Sequence, residues 1–71
     1  MEWKIGDRFI ICGDKETLDD YSLFSYKNTI RTVKRITPID LLFENPYGVK
    51  EDWNCPISCA RKLTKLDKAM Q

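Results

Sequence analysis

Three cysteines are the residues best suited to metal or covalent chemistry. They are Cys12, Cys55 and Cys59, in a chain of 71 residues that has no histidine. A structural zinc site usually has four cysteine or histidine ligands, so three thiols are one ligand short. A nucleophilic cysteine requires a lowered pKa and a neighbouring base, and without histidine neither a Cys-His dyad nor a Ser-His-Asp triad can form. We therefore expect no metal and no cofactor, and we expect Cys12, which follows the apolar residues Phe9–Ile11, to pack as a small hydrophobic group.

The carboxylates include two adjacent pairs, Asp19-Asp20 and Glu51-Asp52. Both pairs lie in segments that we expect to be loops, where carboxylates are normally solvated. Neither pair has a base or a metal motif beside it, as acid–base catalysis would require. The sequence therefore predicts a protein that is not an enzyme and has no catalytic residues.

Basic residues are candidates for contact with an anionic partner. The 12 basic and 11 acidic residues leave a net charge of +1, so no global field attracts nucleic acid or an acidic membrane. The charges are nevertheless segregated, because residues 27–36 contain four bases and no acid, and residues 58–71 contain a second basic block. The two blocks form one patch if the fold brings them together, and are otherwise solvated faces. The candidates are Lys27, Arg31, Lys34, Arg35, Lys62 and Lys65.

Aromatic residues are candidates for contact with a protein partner, because interface energy concentrates in such side chains. Several lie in an acidic loop, residues 14–28, where a weak capping pattern at Thr17 predicts a short helical turn. In this loop we expect Leu18 and Phe24 to fold back onto the core, whereas tyrosine hydroxyls tolerate water. The protein-binding candidates are Tyr21, Phe24, Tyr26, Tyr47 and Trp53.

Short strands separated by turn residues must position these side chains. Residues 8–12 and 29–36 are rich in β-branched residues and predict two strands. The spacing of three between Val33 and Ile36 predicts a bulge or a sharp bend that turns both inward. Further short strands are predicted at 41–44, 53–57 and 62–66, with a helical turn at 58–61.

Five short strands with closely spaced turns are typical of a closed or nearly closed small barrel. Closure suits so short a chain because it removes sheet edges and encloses a core of few side chains. We expect this barrel to occupy residues 1–66, and residues 67–71 to form a polar tail.

The order of elements resembles the SH3-like barrels, and more narrowly the short SH3-like proteins common in bacteriophage genomes. Three segments carry the likeness: residues 4–11 (Lys-Ile-Gly-Asp-Arg-Phe-Ile-Ile), residues 40–48 (Asp-Leu-Leu-Phe-Glu-Asn-Pro-Tyr-Gly), and the closing run from Trp53 to Leu63. The likeness implies an all-β, five-stranded SH3-like barrel with a long loop after strand 1 and a single helical turn before the last strand. In such barrels the last strand pairs with the first, near the start of the second. The two basic blocks would then meet on one flank.

These observations favour a non-enzymatic protein-binding module, in the form of a small phage accessory protein that binds or inhibits a host protein. The alternatives are a nucleic-acid-binding SH3/KOW-like barrel and a subunit of a homo-oligomeric assembly. The odd number of cysteines and the lack of a signal sequence suit the cytoplasm, which is the host cytoplasm if the chain is phage-encoded. No apolar run reaches the length of a membrane span, so we expect no membrane partner.

Overall fold

The computed structural model describes residues 3–66, in which six short strands form two antiparallel sheets of three strands each. The strands are β1 (Arg8–Ile11), β2 (Ile30–Thr32), β3 (Arg35–Ile36), β4 (Asp40–Phe43), β5 (Trp53–Pro56) and β6 (Ala60–Lys62). The helical segments are α1 (Lys15–Asp20) and two single-turn 3-10 helices, Phe24–Tyr26 and Ile57–Cys59. No helix in this part of the chain is long and apolar enough to cross a membrane.

Each sheet has its most apolar strand in the middle. The first sheet has the order β2-β1-β6, and Phe9 of β1 lies opposite Arg31 on one side and Lys62 on the other. The second sheet has the order β3-β4-β5, and Leu41 of β4 lies opposite Ile36 and Cys55. The central strands β1 and β4 therefore supply the inner faces of the two sheets.

The predicted closed barrel of five strands is wrong. Residues 29–36 do not form one strand, because β2 ends at Thr32, β3 begins at Arg35, and the two belong to different sheets. At the break, the N–H of Val33 donates to the Asp7 carbonyl at 2.8 Å, while the N–H of Lys34 donates to the Leu42 carbonyl at 2.7 Å. Two successive residues thus bond to different sheets, and the sheets remain separate.

Several local boundaries also differ from those predicted. The bend between Val33 and Ile36 is present, but only Val33 turns inward, and Ile36 is exposed. The last strand is Ala60–Lys62 rather than residues 62–66, because the preceding helical turn begins at Ile57. The predicted polar tail, residues 67–71, lies outside the described residues.

The core lies between the sheets and is closed at one end by the loop after β1. Phe9 and Phe43 are both buried, and their rings meet edge to face with centroids 5.8 Å apart. Leu18 of α1 is fully buried, as predicted, but Phe24 is 39% exposed and Leu23 takes the expected inward position. The N–H of Leu23 donates to the Leu18 carbonyl at 2.8 Å, which holds both leucines over the core.

Gly13 permits a close approach between the end of β1 and the second 3-10 helix. Its φ is +125°, and a Cβ built there would lie 2.8 Å from the Sγ atom of Cys59. Gly6 also has a positive φ, of +95°, but a Cβ there would meet no heavy atom within 4 Å. An alanine at Gly6 would meet backbone strain alone, whereas an alanine at Gly13 would meet both strain and a steric clash. Comparing the two substitutions therefore separates the two costs.

Gly13→Ala should lower the free energy of unfolding by about 2–6 kcal/mol, because strain and overpacking of a well-packed site each cost about 1–3 kcal/mol. Gly6→Ala should lower it by about 1–2 kcal/mol through strain alone. Urea denaturation followed by tryptophan fluorescence measures both variants. Equal losses for the two variants would contradict the role given to the contact between Gly13 and Cys59.

Candidate binding surface

Trp53, at the start of β5, is the centre of a group of aromatic rings that reaches the surface. Its ring lies 5.4 Å from that of Tyr26 and 5.8 Å from that of Tyr47, both edge to face. On its inner side it lies 6.4 Å from Phe43, which belongs to the core. We call Tyr26, Tyr47 and Trp53 the aromatic cluster. Tyr47 is 73% exposed, so the cluster presents aromatic surface to solvent.

Local structure determines where each tyrosine lies. Tyr26 ends the 3-10 helix that precedes β2. Tyr47 lies in the turn after β4, where the Oδ1 atom of buried Asn45 accepts a hydrogen bond from the Tyr47 N–H at 2.8 Å. The same turn closes with a 3.0 Å bond from the Gly48 N–H to the Asn45 carbonyl. An asparagine that bonds to the backbone two residues ahead stabilises such a turn, so Asn45 positions the Tyr47 ring.

The pKa of the Tyr26 hydroxyl also reflects its neighbours. A side-chain hydrogen bond with Tyr47 raises the pKa of Tyr26, and desolvation adds to this effect, while the nearby charge of Arg31 lowers it. The Arg31 guanidinium lies 5.3 Å from the centroid of the Tyr26 ring, a favourable cation–π arrangement. Its Nε also donates to the Thr29 hydroxyl at 3.3 Å. Arg31 is thereby held beside the aromatic cluster.

A cleft of about 630 Å³ adjoins the cluster, between β2 and the turn after β4. Its size falls within the roughly 300–1,000 Å³ typical of ligand pockets. The lining residues are Ile30, Arg31, Thr32, Lys34, Phe43, Glu44, Asn45, Pro46 and Gly48. This lining combines apolar side chains with two cations and one carboxylate. The cleft could therefore contact both apolar and charged groups of a ligand.

The basic candidates are dispersed. Asp52, whose side chain is largely buried, lies 2.9 Å from the Lys34 Nζ and 3.8 Å from the Arg35 Nε. Arg31 and Lys62 lie on opposite edges of the first sheet, with β1 between them, so their strands are about 9–10 Å apart. Arg31 and Lys62 therefore do not lie on neighbouring strands.

The other sequence candidates lie apart from the cluster or make different contacts. The Lys62 Nζ lies 5.1 Å from the centroid of the Trp3 ring. The Lys15 Nζ lies 5.3 Å from the centroid of the Phe24 ring. Tyr21 is half-buried against the core. Lys27 and Lys65 are exposed. Of the five aromatic candidates, the structure thus brings together Tyr26, Tyr47 and Trp53.

Sequence reasoning missed the residues that organise this surface. For Asn45 a signal was present, because an asparagine at the first position of a turn commonly forms a side-chain bond to the backbone. Asp52 was treated as a solvated carboxylate, whereas it holds Lys34 and Arg35. The ion pairs of Asp52 with Lys34 and Arg35 join segments that are separated in sequence. A single sequence carries no signal for such a contact.

Two of the three cysteines belong to the hydrophobic core. Cys55 and Cys59 are buried free thiols, and Cys12 is half-buried. Desolvation raises the pKa of Cys55 to about 12, with the charges of Cys59 and Cys12 adding to the effect, and desolvation also raises the pKa of Cys59. Among residues 3–66, no group of histidine, cysteine, aspartate or glutamate is arranged to hold a metal ion. Cys55 and Cys59 pack within the hydrophobic core.

Comparison with protein-family models, with curated proteins and with solved structures found no match to this chain. A function for this chain is therefore inferred from its own geometry.

At pH 8, Ellman's reagent should modify Cys12 first in the folded protein, whereas Cys55 and Cys59 should react only when the chain opens. The reason is that burial blocks access and keeps Cys55 protonated until the pH approaches about 12. In 6 M guanidinium chloride all three thiols should react rapidly at the same pH, because unfolded cysteines have a pKa of about 8.5. Rapid modification of Cys55 in the folded state would contradict its assignment to the core.

Proposed function

We propose that this chain is a non-enzymatic protein-binding module whose contact surface is the aromatic cluster together with Arg31 and the adjoining cleft. The observation that carries the proposal is the contact of Trp53 with both Tyr26 and Tyr47 at the surface, because these residues come from three separate segments of the chain. Tyrosine, tryptophan and arginine are the residues in which binding energy concentrates at protein interfaces.

Rigidity of the cluster supports this proposal. Phe43 packs behind Trp53, Asn45 holds the turn that carries Tyr47, and Tyr26 is bonded through its carbonyl to the Thr29 hydroxyl at 2.5 Å. Aromatic side chains that are held before binding lose little conformational entropy when a partner arrives. The exposed ring of Tyr47 is thus suited to be an anchor residue.

The distribution of charge favours a protein partner over a nucleic acid. Binding to a phosphate backbone gains affinity by releasing counterions from several phosphates, which requires a row of available cations. Here Lys34 and Arg35 share the carboxylate of Asp52, and Arg31 is separated from Lys62 by a strand. Three sequence segments resemble short phage proteins. This resemblance supports the proposal that the chain is a small phage accessory protein whose partner is a host protein.

Selection from a display library of random dodecapeptides tests the proposal. Peptides enriched on the wild-type protein should bind the Tyr47→Ala variant about tenfold more weakly or worse, because truncation removes an exposed anchor without disturbing the core. Ile39→Ala is the matched control, since Ile39 is 70% exposed but lies at the other end of β4. Its affinity, measured by biolayer interferometry, should stay within about twofold of the wild type.

Three outcomes would overturn this function. One is a library that yields no binder, or binders indifferent to Tyr47→Ala. Another is tight binding of a fluorescent single-stranded or duplex oligonucleotide. If this affinity falls steeply with salt and is unchanged by Tyr47→Ala, it would establish a nucleic-acid partner. The last is a dimer in sedimentation analysis that Tyr47→Ala dissociates, which would show that a second copy covers the cluster.

A further inference from the structure

Strand β2 is an edge strand, and it forms one wall of the cleft beside the aromatic cluster. In the described part of the chain, the order β2-β1-β6 leaves its outer side without a neighbouring strand. All three of its residues, Ile30, Arg31 and Thr32, line the cleft. An edge strand presents backbone N–H and C=O groups that a further strand can bind.

The hydrogen bonds at either end of β2 establish which backbone groups face the cleft. The Thr29 carbonyl accepts a bond from the Ile11 N–H at 3.1 Å, and the Val33 N–H donates to the Asp7 carbonyl at 2.8 Å. Alternate residues of a strand direct their backbone groups to the same side. Arg31, midway between Thr29 and Val33, therefore bonds toward β1, and the groups of Ile30 and Thr32 point away from it.

The other edges are less suited to an added strand. Strand β5 ends in Pro56, which has no N–H to donate. Strand β3 has only two residues, and strand β6 carries the adjacent charges of Arg61 and Lys62. Short strands, proline and charge are the usual means by which proteins protect sheet edges. The cleft-facing edge of β2 is therefore the one best able to pair.

The charges of the cleft indicate what the added strand must carry. Lys34 already lies 2.9 Å from Asp52, whereas Arg31 contacts the neutral groups of Thr29 and Tyr26. Opposite charges facing each other across paired strands stabilise the pairing. Glu44 also lines the cleft and would repel a uniformly acidic segment. One carboxylate opposite Arg31, with apolar β-branched neighbours beside Ile30 and Thr32, fits this arrangement.

We infer that the partner of this module is an extended peptide segment that adds as a strand to the outer edge of β2 and places one carboxylate opposite Arg31. This inference rests on the proposed function and specifies the form and chemistry of the segment that is bound. In an antiparallel arrangement the residue opposite Arg31 makes no backbone bonds to β2, while its two neighbours bond with Ile30 and Thr32.

The probe is a capped heptapeptide, Thr-Thr-Val-Glu-Val-Thr-Thr, titrated into the full chain labelled with ¹⁵N. Replacing its glutamate with lysine should weaken binding about tenfold, as should Arg31→Gln in the protein, because each removes the ion pair. N-methylation of either valine should also weaken binding about tenfold, since it removes a backbone donor to β2. N-methylation of the glutamate is the matched control, and it should change the affinity by less than about threefold because that N–H points away from β2.

Amide hydrogen exchange in the complex provides the second measurement. The amides of Ile30 and Thr32 should exchange about tenfold more slowly when the peptide is bound, whereas the amide of Arg31, already bonded to β1, should change little. This readout needs no variant of the protein and so does not depend on the stability of Arg31→Gln.

The outcomes separate this inference from the proposed function. Suppose that library peptides bind in a Tyr47-dependent way, but the heptapeptide does not bind, or binds without slowing amide exchange at Ile30 and Thr32. The proposed strand addition is then wrong, while the proposed protein-binding function stands. If the lysine peptide binds as well as the glutamate peptide, the inferred pairing of a carboxylate with Arg31 is wrong. If no peptide binds at all, both proposals fail.

Discussion

The edge-to-face contact between Phe9 and Phe43 is the interaction on which the rest of the structure depends. The two side chains come from the central strands of the two sheets, and both are buried. Within residues 3–66 no strand pairing connects the sheets, so apolar packing across their inner faces holds them together. In a chain this short the buried area is small, and the stability of the whole depends on a few large side chains.

The same contact connects the core to the proposed binding surface. Phe43 touches Trp53, and Trp53 touches Tyr26 and Tyr47, so rings follow one another from the interior to solvent. A surface anchored in this way has few conformations to lose when a partner binds. On the proposed function, recognition and stability share residues, because Trp53 belongs both to the proposed surface and to the packing behind it.

The local signals in the sequence were sufficient for most elements but not for their assembly. The β-branched run after Arg8, the turn at Asn45 and the helical turn near Thr17 are all present. Closure into a barrel was wrong, because propensity and alternation describe each strand separately and say little about the sheet to which it belongs. Val33 and Lys34 bond to different sheets, and that choice depends on Asp7, which is far from Val33 in sequence, as well as on the nearby Leu42.

The sequence by itself determined the kinds of residue available for binding: aromatic and basic side chains, thiols without histidine, and a net charge of +1. Only the tertiary structure decided which of them meet. It assembled Tyr26, Tyr47 and Trp53 from three segments, and it paired Asp52 with Lys34 and Arg35. The physical reason is that a contact between distant segments depends on the packing of the whole chain, whereas composition and spacing report only on neighbours.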